Sequence, residues 1–402
     1  MRRNVHLAAL AVVLAGTIPT ACHAQQPSPL DPATDRAAAS VSPAPGAWTP
    51  ALLASLRHWV DLAPSYGLPA LDCTDLDAAQ QHGDALAVDR AARALALRLA
   101  RMHALGWTDP HARAGWHIAD SDASIDLDAG LAGAMAGGSL DRWFESLQPR
   151  HPDFPALRAA LAQEQDPARR ATLARNMERW RWMPHDPGAD YVLVNAAAFQ
   201  VEVWRQGAAA GRWRVIVGKA SSPTPVFTAT VTGVTLNPWW DIPANIVAES
   251  VGAMIRRNPA RAARQGYVWG GGRYRQRPGP TNALGVMKLA MPNSFNVYLH
   301  DTPSKALFDR DVRAFSHGCV RVDRPLDLAA ALLAPVQSRE SLDAMVAAGR
   351  TITLPLPRRM PVYIAYFTAT RGVDGNAVIL PDVYGRDTGP GDAAEPQKRC
   401  AA

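Results

Sequence analysis

His300 and Cys319 are the residues of this chain whose types and spacing suit covalent chemistry. A thiolate attacks carbonyl carbon, but a free thiol has a pKa near about 8.5 and is mostly protonated at neutral pH. A neighbouring imidazole can take that proton and later return it to a leaving amine. Fifteen residues separate His300 from Ser316, roughly 50 Å if fully extended, so the chain must double back for the two groups to meet. The alternation in Phe295–His300 predicts a strand with Phe295, Val297 and Leu299 on one face and Asn296, Tyr298 and His300 on the other. Cys319–Val322 alternates again, with the two valines inward. If these strands are neighbours, one face presents Tyr298, His300, Cys319 and Arg321. Thr302-Pro303 suits the start of a short helix in the loop between them. Asp301 is placed to orient the ring through its carbonyl or its carboxylate. Gly318 permits a tight turn whose successive amides could face a developing oxyanion.

Taken singly, these residues have plainer readings. A lone cysteine is usually a small buried apolar group, and a lone histidine a satisfied core or surface residue. Zinc ligation by His300, His317 and Cys319 lacks a C-x-x-C or H-E-x-x-H pattern for further ligands. The longer pattern outweighs these readings. His300, then fifteen residues, then Ser316-His317-Gly318-Cys319-Val320-Arg321 resembles the signature of the L,D-transpeptidase catalytic domain, H-x(14–17)-[S/T]-H-G-C-x-[R/N]. The phrases Tyr298–Pro303 and Asn282–Gly285 are similar to that family as well.

This resemblance implies Cys319 as acyl-accepting nucleophile and His300 as its base and acid. His317 and Gly318 would support the site, and Arg321 would be a structural or carboxylate contact. It further implies a mostly β, sandwich-like catalytic domain, no cofactor or metal, and peptidoglycan stem peptides as substrate. Tyr298, Ser316, Trp240 and Arg273 are the candidate substrate contacts. A cross-linking transpeptidase open to carbapenem acylation is the leading expectation. The alternatives are an L,D-carboxypeptidase, a lipoprotein-anchoring enzyme, a non-catalytic wall-binding protein and, last, a zinc hydrolase.

The elements that must hold this site are also legible. Residues 1–24 carry Arg2 and Arg3, then an apolar run too short to span a bilayer, then small residues. That is the pattern of a secretory signal, so the mature chain is expected in the periplasm. The alternative is an outer-membrane lipoprotein carrying lipid on Cys22, the remaining route to membrane contact. Removing the signal lowers the formal charge from +6 to +4. For an exported chain this Arg-dominated excess fits an anionic wall polymer or peptide carboxylates better than nucleic acid, though the net charge taken alone is explained by simple solubility. Cys73 and Cys400 could pair in an oxidising compartment, though nothing in the sequence fixes the link.

Residues 25–50 read as a Pro/Ala/Ser-rich leader and 51–186 as a helical scaffold with apolar residues at three- and four-residue spacing. Helices are expected from Ala51, over Ala85–Leu105, in Leu127–Leu147, over Phe154–Ala162 and over Arg169–Trp182. Met177–Pro184 resembles the segment joining scaffold to catalytic domain in long proteobacterial L,D-transpeptidases. The peptidoglycan-binding module that family often carries before this segment is missing. From Tyr191 the period becomes two, giving an α+β chain whose region 187–384 forms a sandwich or barrel-like sheet. At 237–281 the strand pattern stops. This insertion holds seven arginines against Asp241 and Glu249, and the resemblance implies a lid over the site. Residues 385–402 read as a loose tail.

Overall fold

The computed structural model of the chain describes residues 47–113, 115–119 and 125–387. The expected signal, most of the leader, Cys22 and Cys400 lie outside them.

The N-terminal half is helical. The Thr49 hydroxyl accepts from the Leu52 amide and Pro50 occupies the first turn, which starts α1 (Pro50–Leu62). A short helix, α2 (Thr74–His82), buries only Leu76 and Ala79, so its periodic signal is too weak to read. Asp84 caps α3 (Ala85–Leu105) and Gly106 ends it, as the spacing predicts. A two-residue strand, β1 (Trp116–His117), comes next. It is followed by α4 (Leu127–Ala136), α5 (Leu140–Ser146), α6 (Asp153–Gln163) and α7 (Pro167–Arg181).

The strands β2 (Tyr191–Asn195), β3 (Gln200–Arg205), β4 (Ala208–Gly218) and β5 (Val226–Leu236) open the β region. Later strands are β9 (Met287–Ala290), β10 (Leu299–His300), β11 (Ala314–Ser316), β12 (Val320–Val322) and β13 (Ile352–Ala365). The sheet runs β1-β5-β13-β2-β3-β4-β12-β10-β9, and β9 pairs again with β5. Of the two sheet forms expected, the hydrogen bonding therefore closes the sheet like a barrel. Strand β13 is interrupted by Pro355 and Pro357, and its register with β5 shifts between Pro355 and Met360. Helices α11 (Pro325–Leu333) and α12 (Arg339–Ala347) follow β12, and the hairpin β14 (Ala369–Arg371)–β15 (Ala377–Ile379) follows β13.

The insertion is not free of strands. β6 (Trp240–Asp241), β8 (Arg273–Gln276) and β7 (Tyr267–Gly270) form their own three-stranded sheet. Between β6 and β7 run α8 (Ala244–Ile246), a π-helical turn (Val247–Val251), α9 (Gly252–Arg257) and α10 (Pro259–Arg264). Two-residue pairing and short strands carry little period-two signal, which is why the sheet escapes sequence reading.

Scaffold and catalytic region share one hydrophobic core. Strand β1 adds to the catalytic sheet, pairing parallel with β5 at Trp116↔Val226 and His117↔Phe227. Asn176 of α7 is fully buried and donates to the Thr368 hydroxyl at 2.9 Å, while its carbonyl accepts from the Thr368 amide at 2.8 Å. Trp180 stacks on Phe367 with centroids 4.2 Å apart. The start of the expected tail is tied down, because Arg179 pairs with Asp387 at 2.9 Å and donates to the Arg386 carbonyl at 2.8 Å.

Candidate active site

Strands β10 and β12 are parallel neighbours, pairing Leu299 with Val320 and His300 with Arg321. Paired residues point to the same side of a sheet, and Cys319 is two residues from Arg321, so His300, Cys319 and Arg321 share a face. Val320 and Val322 are fully buried on the other. The anticipated strand 295–300 is shorter than its alternation suggests. Asn293 makes a turn instead, its side-chain carbonyl accepting from the Phe295 and Val297 amides. Asn296 adopts φ +53°. Phe295 leaves the strand and packs against Phe227 and against His117 of β1. The short helix in the loop also starts later than expected, at Lys305, and the Thr302 hydroxyl accepts from the Ser304 amide.

His300 is buried, and its Nδ1 lies 2.5 Å from the Asp301 carbonyl oxygen. A carbonyl only accepts, so Nδ1 carries the proton and the Nε2 lone pair is free to act as a base. Burial first, then the Arg321 and Lys288 cations, lower the His300 pKa to about 3. Of the two orienting groups on Asp301, the backbone carbonyl holds the ring. The Asp301 carboxylate instead accepts from the Val286 amide at 2.9 Å and pairs with Lys305.

Cys319 is half-buried and free, and its thiol donates to the Asn296 carbonyl at 3.8 Å. Burial raises its pKa, while the Tyr298 backbone amide, Lys288 and Arg321 act in the opposite direction. The turn before it is braced by Ser316, whose hydroxyl donates to the Cys319 carbonyl at 2.6 Å and accepts from the Gly318 amide at 3.0 Å. Two expectations change here. The Gly318 amide is already engaged and does not face an oxyanion. Ser316 is buried with both hydroxyl functions used, so it holds the turn rather than touching substrate. Gly318 sits at φ +113° and its carbonyl accepts from Thr224 at 2.8 Å.

Tyr298 is half-buried with the Lys288 ammonium 3.6 Å from its ring centroid. Lys288 is the register partner of His300 on β9, and burial lowers its pKa. Sequence reading passed it over, although a single cation in the apolar run Val286–Met291 was a usable signal. On the insertion, Trp240 is half-buried, and Arg273 is exposed with Asp241 4.0 Å away. The insertion residue that reaches the motif is Glu249, 3.0 Å from His317 Nε2. Among the described residues no group of three or more His, Cys, Asp or Glu side chains converges as a metal site would. Cys73 is disulfide-bonded, and Cys400 lies outside the described residues. A cavity of about 580 Å³ lies at the scaffold seam beside Trp107, Trp182 and Arg179, and Cys319 is not among the residues lining it. Several of its polar groups serve the fold: Arg170 caps the Leu161 and Glu164 carbonyls, and Glu178 accepts from the Trp107 and Thr108 amides.

Residues 189–364 match the family described as the L,D-transpeptidase catalytic domain. Over these residues the chain is similar to that catalytic domain. Residues 45–161 match the family described as a scaffold domain, so the two matches stand in the order the resemblance implied. A Haemophilus influenzae protein named "Putative L,D-transpeptidase" is 33% identical over 237 residues, covering 54% of this chain and 48% of that protein. The match thus spans about half of the relative's length. Among solved structures, an L,D-transpeptidase from Mycobacterium smegmatis aligns at 14% identity and TM-score 0.27 over 44% of this chain and 58% of that one. One from Mycobacterium tuberculosis H37Rv aligns at 16% identity and TM-score 0.24 over 44% and 57%.

Proposed function

We propose that this transpeptidase-family chain is exported to the periplasm and cross-links peptidoglycan through a thioester on Cys319. The observation that carries this reading is the His300 tautomer. With Nδ1–H committed to the Asp301 carbonyl, Nε2 is a neutral base on the face it shares with Cys319. The thiol exchanges the Asn296 carbonyl for Nε2 as its acceptor and gives up its proton. The thiolate sulfur attacks the carbonyl joining the third residue of a tetrapeptide stem, such as meso-diaminopimelate, to the terminal D-Ala. The C–N bond then breaks, Nε2–H protonates the departing amine, and a thioester remains. An amine of a second stem attacks that thioester, returns its proton through His300 and frees the thiol, which closes a 3→3 link. Lys288 and Arg321 flank the sulfur with positive charge that favours the thiolate. A carbapenem ring would acylate the same sulfur.

The test is intact-protein and product mass spectrometry with tetrapeptide muropeptides. Wild type is expected to release D-Ala and form dimer, and Cys319→Ala to do neither. Dimer from Cys319→Ala rejects the scheme. Tripeptide without dimer assigns water as acceptor.

A further inference from the structure

Lys219 and His317 converge on one oxygen atom. The Lys219 ammonium lies 3.3 Å and His317 Nε2 3.0 Å from Oε1 of Glu249. The two nitrogen groups belong to the catalytic sheet. Lys219 follows the last residue of β4 and its amide donates to the Ser316 carbonyl at 2.9 Å. His317 follows Ser316 at the end of β11, two residues before Cys319. Both are therefore fixed by the backbone that fixes the nucleophile.

The carboxylate comes from elsewhere. Glu249 sits in the π-helical turn of the insertion, a form of helix frequent at functional sites. The turn is closed by the Gly252 amide donating to the Val247 carbonyl, where a Cβ on Gly252 would stand only 2.7 Å from that oxygen. His317 first and Lys219 second hold the Glu249 carboxyl below its ordinary range. The side chains of Lys219, His317 and Glu249 are 40%, 35% and 49% exposed. Ion pairs that open to water shift an equilibrium only a few-fold, so another carboxylate can exchange with this one.

We propose that Lys219 and His317 form a carboxylate subsite for the donor peptide, and that Glu249 fills it while no substrate is bound. This rests on the transpeptidase reading, in which the donor ends in a D-Ala carboxylate one carbon from the scissile nitrogen. A group that close to the attacked bond must lie near Cys319, and the two nitrogen groups stand on the backbone that leads to it, His317 two residues before it and Lys219 bonded to the Ser316 carbonyl. Entry of the donor displaces Glu249 and releases the insertion from the sheet. Departure of D-Ala lets Glu249 return.

The probe is N-acetyl-D-alanine against N-acetyl-D-alaninamide, titrated into Cys319→Ala protein and followed by the NMR shifts of the Lys219 and Gly318 amides. Glu249→Gln is expected to tighten binding of the acid about two- to fivefold, the range set by an exposed pair. Lys219→Met is expected to weaken it by a similar factor, and the amide to respond to neither. Unchanged or weaker acid binding in both Glu249→Gln and Glu249→Ala overturns the proposal, as does equal binding of acid and amide. Well-dispersed spectra of these surface variants guard against misfolding. If tetrapeptide yields no dimer while the acid still behaves as stated, the transpeptidase reading fails and the subsite stands. If dimer forms but neither Glu249→Gln nor Glu249→Ala tightens the acid, the subsite alone fails.

Discussion

A protonated thiol beside a neutral imidazole has to lose its proton before it can attack, and both groups are held in those forms by burial. The Cys319 pKa is raised and that of His300 is lowered to about 3, so above about pH 3 the ring stays a neutral base. Alkylation of Cys319 by iodoacetamide is therefore expected to rise with pH and to reach half its maximum above the ordinary thiol range of about 8.5. Lys288 opposes burial at the sulfur. Replacing it in Lys288→Met is expected to move the midpoint higher still, and rate-against-pH profiles followed by peptide mass spectrometry check both statements. At this scale the residues proposed as nucleophile and base, Cys319 and His300, were legible as a pair, because their types and the SHGC phrase are local. Lys288 and Glu249 were not. Each is placed by the pairing of segments distant in sequence, which single-residue chemistry does not encode.

Among the elements, the turn leading into β9 is the tightest support of the base. Gly285 has φ +59°, and a Cβ there would collide with the carboxylate of Asp301. Asp301 is buried, accepts from the next residue's amide, and carries on its backbone the oxygen that orients His300. Gly285→Ala is expected to cost on the order of 1–3 kcal/mol through backbone strain, and more if Asp301 cannot yield. It should also lower kcat for acyl transfer. Thermal melts and turnover of the same preparation check this, and wild-type turnover in a destabilised variant would show that Asp301 does not position the ring. The long helices and strands were readable because α3 shows a period of 3.6, β3 a period of 2 and β2 a continuous apolar run. The elements that escaped are short or interrupted: α2 with one leucine, the insertion's small sheet, and β13 with its three prolines. Nor did alternation in Phe295–His300 reveal that Asn293 would turn the first part of that segment out of the strand.

At the scale of the molecule, three histidines among the described residues, His103, His151 and His300, are buried and each has its pKa lowered to about 3, burial being the largest cause. The unfolded chain binds protons at these rings below about pH 6.5, while the folded chain does not. The stability they contribute is complete above pH 6.5 and is lost as the pH falls towards 3. Each ring adds up to about 1.4 kcal/mol per pH unit. Burial raises Asp153 to about 6. In its window, from about 3.8 to 6, the folded state holds the extra proton, so Asp153 offsets one histidine there. Melting temperature is thus expected to fall below pH 6.5 and to fall most steeply below about pH 4, which calorimetry across pH checks. A flat profile from pH 7 to 4 would contradict it.

The two-residue strand β1 has a reach beyond its length. It is stitched to β5 from the helical half, and its His117 ring packs on Phe295, the residue next to the carbonyl that accepts the Cys319 thiol's hydrogen bond. Attempts to shorten this protein to a minimal enzyme should therefore begin upstream of Trp116. A fragment cut at the onset of the β region would strip a neighbour from the wall of the reaction centre while leaving every reacting group in the sequence.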